Sequence, residues 1–309
     1  MENTYPEDSS HQRNPFLAII FIILFAIAGM FVGNFVGLIA ILPFFYFSLG
    51  ETMAFLTDPM SNASGRVPLL LVQGVSGLFT FIIAPILYLR IFEKKGLSQF
   101  STIPNPPGIA LLLTVAVWFS FMFLNTPIIE WNMNIDFPNF FEAFARGMED
   151  ELKDITEFLT AFDNIGQMLF GLIIIAIIPG IGEELIFRGL IQQKFYEATK
   201  NAHVAIWLTG LLFGVIHFQF YGMVPRMLLG VLFGYLYWWS GSLLLAILAH
   251  FLTNGFTLLM VYLFQQEVIE FNIDGTDEVP LSTVLISGII FGIMFYYFFK
   301  LVKHQESHG

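Results

Sequence analysis

From Phe16 to about Phe47 the chain carries no charged residue, and comparable apolar stretches recur almost to its end. About 20 apolar residues are enough for an α-helix to cross the hydrocarbon core of a bilayer. The first stretch exceeds that length, so it must tilt or reach past the membrane. Further spans are expected at about Val67–Ile91, Ile109–Ile129, Gln167–Glu197, His203–Phe218, Val224–Trp239, Ser242–Phe264 and Leu281–Val302. With 56% hydrophobic residues, 37 Phe and 12% charged residues, the expected class is all-α. The expected architecture is a polytopic membrane helix bundle of about eight transmembrane helices. It divides into a soluble tail over 1–15, one transmembrane domain over 16–302 and a short tail over 303–309.

The segments between the spans add constraints. The first 15 residues lack the basic and apolar regions of a cleaved signal peptide, so the first span is expected to be retained. Gly33 and Gly37 match the small-xxx-small pattern of packed membrane helices. Gly50–Arg66 reads as a polar loop, with an Asn62-Ala63-Ser64 triplet that fits a glycosylation acceptor. Ile103-Pro104-Asn105-Pro106-Pro107-Gly108 reads as a rigid turn. Glu130–Asp163 carries nine carboxylates (Glu130, Asp136, Glu142, Glu149, Asp150, Glu151, Asp154, Glu157, Asp163). Its apolar residues recur every three or four positions, which predicts an amphipathic helical connector between spans three and four. Asp274–Glu278 reads as a solvated acidic loop. Arg226 is expected to snorkel to the interface, a substrate-carboxylate contact being the alternative.

Eight spans would put both termini on one side. That side would carry Arg13, Arg90, Lys94, Lys95, Lys194, Lys200, Lys300 and Lys303, and the other Arg66, Arg146, Lys153 and Arg226. The bias predicts cytoplasmic termini. A net charge of −11 argues against a nucleic-acid partner. Without Cys the chain can offer no thiol nucleophile, disulfide or thiolate-bound zinc.

The fourth span breaks the apolar pattern with Glu183, Glu184 and Arg188. A charge near the bilayer centre costs roughly 2.5–3.5 kcal/mol on insertion scales, so such residues usually face a bundle interior and serve a function. Glu184 and Arg188 stand at i,i+4 and can pair. Glu183 lies about 100° round the helix and is left free to act as a base. Pro179 and Gly180 just before them predict a freed backbone carbonyl and room for a substrate strand.

His217, His250 and Asn254 interrupt other apolar stretches, the last two on one helix face at i,i+4. Glu183 stands 17 residues before Lys200 and His217 the same number after it. At 1.5 Å per residue both lie roughly 25 Å from a turn there, hence at one level. Three helices can thus direct Glu183, His217, His250 and Asn254 into one buried polar pocket. Such a set fits hydrolysis: Glu183 and His217 to activate water, His250 and Asn254 to stabilise an oxyanion. It also fits a divalent metal such as zinc held by Glu183, His217 and His250. The residues alone do not separate the two.

The motifs Glu183-Glu184-x-x-x-Arg188, Phe213-x-x-x-His217 and His250-x-x-x-Asn254, in this order, resemble the CPBP family. That family comprises the type II CAAX prenyl endopeptidases and bacteriocin-processing or immunity proteins. The resemblance covers roughly Ile165–Leu263 and implies an intramembrane endopeptidase with its catalytic core at about 165–263. It implies Glu183 as the essential glutamate with His217 as partner, His250 and Asn254 as the oxyanion pair, and Glu184 and Arg188 in support. It also implies a glutamate mechanism that needs no cofactor, with a zinc-dependent metalloprotease as second choice. The expected partners are the lipid bilayer and a peptide or protein substrate in or at the membrane. The expected location is a bacterial inner membrane. Two other classes share some of these features. A bacteriocin-immunity or scaffold protein would not need all four polar residues, and a proton-coupled transporter would be expected to show duplicated halves.

Overall fold

The computed structural model describes residues 14–96, 100, 106–270 and 279–306. Most of the N-terminal tail, the first half of the proline-rich turn and the acidic stretch 274–278 lie outside the described residues. Hydrocarbon offers no water to backbone N–H and C=O groups, so a spanning segment must pair them internally. The described residues accordingly form helices: α1 (Pro15–Ile41), α2 (Leu49–Thr57), α3 (Ala63–Glu93), α4 (Gly108–Met133), α5 (Asn139–Thr160), α6 (Ile165–Thr199), α7 (Ala202–Val215), α8 (Phe220–Ser240), α9 (Leu243–Gln265) and α10 (Leu281–Glu306). No strand occurs among them.

Among the described residues seven helices are long and apolar enough to cross a membrane: α1, α3, α4, α6, α8, α9 and α10. The fifth expected span is shorter than its sequence suggested. Helix α7 has 14 residues, about 21 Å at 1.5 Å per residue, short of the ~30 Å hydrocarbon core. It stops because the chain turns at Ile216–Gln219, where Phe218 adopts a left-handed φ of 54°. The expected loop at Gly50–Arg66 is also corrected. It overlaps α2, whose N-cap Ser48 Oγ accepts from Glu51 N at 3.3 Å. Asn62 is a cap as well, its Oδ1 accepting from Ser64 N at 3.0 Å.

Small residues set the helix spacing. A Cβ on Gly33 would lie 2.7 Å from the Ser76 Cα of α3, and one on Gly37 3.1 Å from the Val72 Cα. The Gly33–Gly37 pattern is therefore a true packing face. The same device joins α7 to α8. A Cβ on Gly210 would meet Met227 O at 2.9 Å, and one on Gly214 would meet Met223 O at 2.7 Å. Trp118 of α4 donates from Nε1 to Thr253 Oγ1 of α9 at 3.0 Å. Between these helices lies a core rich in aromatic and leucine side chains, including Phe187, Phe213, Phe233, Leu236, Tyr237 and Leu245.

Helix α5 is the amphipathic connector, and it is fastened at both ends. Near its N-terminus Phe137 and Phe141 pack edge-on against Tyr221 and Phe220, with ring centroids 5.3 and 5.0 Å apart. Tyr221 Oη donates to Glu142 Oε1 at 2.9 Å, and Arg146 stands over the Tyr221 ring at 4.1 Å. At the C-terminal end, buried Arg66 of α3 donates to Phe158 O at 2.9 Å and pairs with Asp163 at 3.2 Å.

Hydrogen bonds from Tyr221 and then Arg146 hold the Glu142 carboxyl below its ordinary range. A depressed folded-state value stabilises the folded form above the unfolded pKa, and that contribution is lost as pH falls through the folded value. The N-terminal fastening of α5 should thus persist through the neutral range and loosen only in acid, below the usual glutamate titration. Hydrogen exchange of residues 139–146 across an acid titration checks this. Protection that falls between pH 6 and 8, or a Glu142→Gln variant with an unchanged profile, would refute it.

Candidate active site

The site is built at the middle of α6. This helix is not uniform: wider π-type turns at Leu172–Ile177 and Leu185–Ile191 bracket an α-helical stretch, Ile178–Glu184. Pro179 has no N–H to close the i→i−4 bond to Ile175 O. Asn254 Nδ2 of α9 donates to that carbonyl at 3.3 Å. The expected freed carbonyl is present, and it is an anchor for Asn254. No hydrogen bond joins Asn254 to Glu183, His217 or His250 among the described residues.

The two adjacent carboxylates part company as their 100° offset requires. Glu184 points into the bundle, where it and Arg188 are both 0% exposed. Arg188 Nη1 donates to Glu184 Oε1 at 2.7 Å, and its Nη2 donates to Gly230 O of α8 at 2.7 Å. The guanidinium also lies over the rings of Phe213 and Phe233, at 4.9 and 5.2 Å. One turn on, Gln192 Nε2 donates to Gly234 O at 3.3 Å, so α6 is stitched to α8 at two successive glycines.

Glu184 Oε1 takes a second partner, His250 Nδ1, at 2.7 Å. The carboxylate accepts, so Nδ1 carries the hydrogen and Nε2 turns the other way. Phe233 stacks on the His250 ring with centroids 5.2 Å apart and an interplanar angle of 20°. His217 is held in the same fashion. Its Nδ1 donates to Phe213 O at 2.7 Å, at the end of α7 where backbone carbonyls run out of N–H partners. Its Nε2 is likewise left free.

Both free Nε2 atoms face one acceptor. Glu183 Oε2 lies 4.0 Å from His217 Nε2 and 4.0 Å from His250 Nε2, and it has no hydrogen-bond partner. The Glu183 side chain is 11% exposed and the His217 side chain 28%, so the point is buried but open on the His217 side. Equal distance from the turn at Lys200 has brought Glu183 and His217 to one level, as their spacing predicts. The difference lies in support: His217 stands in a turn just beyond α7 rather than inside a span.

Arg226 is half-buried. Its Nη1 is fully buried and unpaired, and its Nη2 donates to Gln219 Oε1 at 2.7 Å, inside the turn that carries His217. The stitch at Gly230 and Gly234 has a signal in the sequence: Gly210/Gly214 and Gly230/Gly234 repeat the small-xxx-small spacing that Gly33 and Gly37 show.

Residues 165–256 match the family model of the type II CAAX prenyl endopeptidases, Rce1-like. YdiL of Bacillus subtilis (strain 168), named as a candidate membrane peptidase, is 25% identical over 191 residues, 61% of this chain and 72% of YdiL. YpbD of the same organism, an uncharacterized protein, is 26% identical over 88 residues, 27% of this chain and 42% of YpbD. No solved structure matches the chain.

Proposed function

We propose that the CPBP-family core formed by residues 165–256 makes this protein an intramembrane endopeptidase in which Glu183 and His217 activate the hydrolytic water. The carrying observation is the 4.0 Å approach of Glu183 Oε2 to the two Nε2 atoms, each imidazole being fixed through its other nitrogen. A water hydrogen-bonded at about 2.8 Å to both Glu183 Oε2 and His217 Nε2 would subtend roughly 90° at its oxygen, which a water can accept. Glu183 takes its proton as the oxygen attacks the scissile carbonyl carbon. The same carboxyl then delivers that proton to the amide nitrogen as the C–N bond breaks.

His250 and the second amide hydrogen of Asn254 are the donors for the resulting oxyanion. His250 already gives Nδ1–H to Glu184, so a donating Nε2–H means an imidazolium. That charge is well placed: with Glu183 and Glu184 ionised, Arg188 and an imidazolium bring the buried set to neutrality. Glu184 and Arg188 act through His250 and are positioning residues. The substrate is a peptide or protein segment in or at the membrane. The enzyme sits in a bacterial cytoplasmic membrane; α7, though short, returns the chain between α6 and α8, so eight passes keep both termini on the cytoplasmic side that the basic bias favours.

A second reading has a specific observation behind it. Two imidazoles with Nδ1 held by acceptors and Nε2 free are what a zinc site uses. Two ligand atoms on a tetrahedral zinc, however, lie about 3.4 Å apart, and the distances from Glu183 Oε2 are 4.0 Å. As placed, the residues fit a water better than a zinc ion.

The test is cleavage of a quenched-fluorescent peptide library by purified protein in detergent, with and without a strong chelator. Cleavage should survive the chelator, and His217→Ala should lower kcat/KM by about 10²-fold or more. Loss with chelator and recovery with zinc would replace the glutamate mechanism by the metal one. Full activity in His217→Ala would remove His217 from either.

A further inference from the structure

We propose that Arg226 is a carboxylate-binding subsite that holds an acidic group of the substrate beside the hydrolytic centre. This rests on the endopeptidase reading only for where the bound segment is cut.

The argument begins with an unbalanced cation. Arg226 stands one turn into α8, and its guanidinium folds back over Gly222, where a Cβ would lie 3.3 Å from Nη1 and 3.4 Å from Nη2. Nη2 is tied to Gln219 Oε1, a neutral partner, and Nη1 is buried with none. Among the described residues no carboxylate oxygen lies within 4.0 Å of it. The carboxylates whose charge it feels are Glu149 and Glu183. Glu149 Oε2 is engaged by Tyr221 N at 3.4 Å, and Glu183 faces the imidazoles. Burying a guanidinium without a counter-ion is costly, and an unpaired N–H adds to the cost. The two buried arginines, Arg66 and Arg188, each have a carboxylate, at 3.2 and 2.7 Å. Arg226 has none within 4.0 Å among the described residues, and a guanidinium is shaped to receive both oxygens of one.

Position says what the missing partner is. Gln219 lies two residues after His217 in the same turn, so a group held by Arg226 is held next to the catalytic imidazole. The open side of the Glu183 pocket is also the His217 side. A carboxylate arriving there neutralises the cation and fixes the register of the chain that carries it. Two sources share this chemistry: the free C-terminus of a short segment and an Asp or Glu side chain.

The experiment uses the full-length protein in detergent and a dansylated apolar hexapeptide in three forms: free C-terminal acid, C-terminal amide, and amide ending in Asp. Binding is read by fluorescence anisotropy, independently of cleavage. The acid should bind at least about tenfold more tightly than the amide, the scale of one charge-assisted contact. Arg226→Gln should erase that difference by weakening the acid alone, and Arg226→Lys should restore part of it. Gly222→Ala, which crowds the guanidinium, should shrink it without removing the charge. Tight binding by the Asp form identifies a side-chain carboxylate as the ligand, and tight binding by the acid alone identifies the C-terminus. Equal binding of acid and amide by the wild type, or a loss in Arg226→Gln that strikes both equally, overturns the subsite. Acid-selective, Arg226-dependent binding without cleavage of any peptide would sink the endopeptidase reading and leave the subsite standing.

Discussion

Replacing Arg188 with alanine should destabilise the protein by about 3–5 kcal/mol, the usual cost of removing one partner of a buried ion pair. Three losses coincide. Glu184 keeps its charge in a fully buried position with only His250 beside it. Gly230 O loses its side-chain donor. The Phe213 and Phe233 rings lose the guanidinium that fills the space between α6, α7 and α8. Arg188→Lys should fall in between, because an ammonium can neutralise Glu184 but cannot reach Gly230 O with a rigid fork. Thermal unfolding of purified variants in one detergent gives the ranking directly. A wild-type midpoint for Arg188→Ala would show that the pair does not hold the helices together.

Glu183→Gln should behave in the opposite way, with peptide hydrolysis reduced by about 10²–10⁴-fold and the fold intact. Glutamine keeps the shape of the side chain but cannot take a proton from water. Glu183 Oε2 has no hydrogen-bond partner in the folded protein, so replacing the carboxylate by an amide breaks no hydrogen bond there. The midpoint of unfolding should therefore hold steady or rise, a trade of stability against activity common at catalytic groups. Measured side by side, the variants separate two neighbouring carboxylate networks by function. An equal loss of stability in both would contradict that division, and retained hydrolysis in Glu183→Gln would remove the proposed base.

Much of this arrangement is legible in the chain because helices are rigid rods with a fixed rise. Equal residue counts from Lys200 bring Glu183 and His217 to one level, and the i,i+4 spacing of Glu184 and Arg188 gives their contact. Amphipathic periodicity gives α5. What escaped depends on where a helix stops and on contacts between distant segments. Helix α7 ends at Val215 because the chain reverses at Phe218, and no breaker residue announces it. Helix α2 was hidden by its polar surroundings, although Ser48 and Glu51 have the spacing of a capped start. The inward turn of Arg226 depends on Gln219 and on space over Gly222, a glycine needed for a side chain four residues away. The i,i+4 spacing puts Asn254 on the face of His250, but its bond to Ile175 O follows from the missing N–H of Pro179.

The lipid-facing helices tell a different story about how such a chain can change over time. On α1, Phe16, Ile20, Leu24, Phe31 and Phe35 face outward, and on α10 so do Leu285, Ile286 and Ile289. Only oiliness is asked of these positions, so one apolar residue can replace another with little penalty. Lineages are free to drift there until common ancestry no longer shows as shared letters. Inside α6 to α9 the buried polar side chains Glu184, Arg188, Gln192 and His250 answer to named partners, and Gly210 and Gly214 answer to a backbone within about 3 Å. Inheritance should stay most readable in that inner quartet, and 165–256 is the stretch that the family model matches.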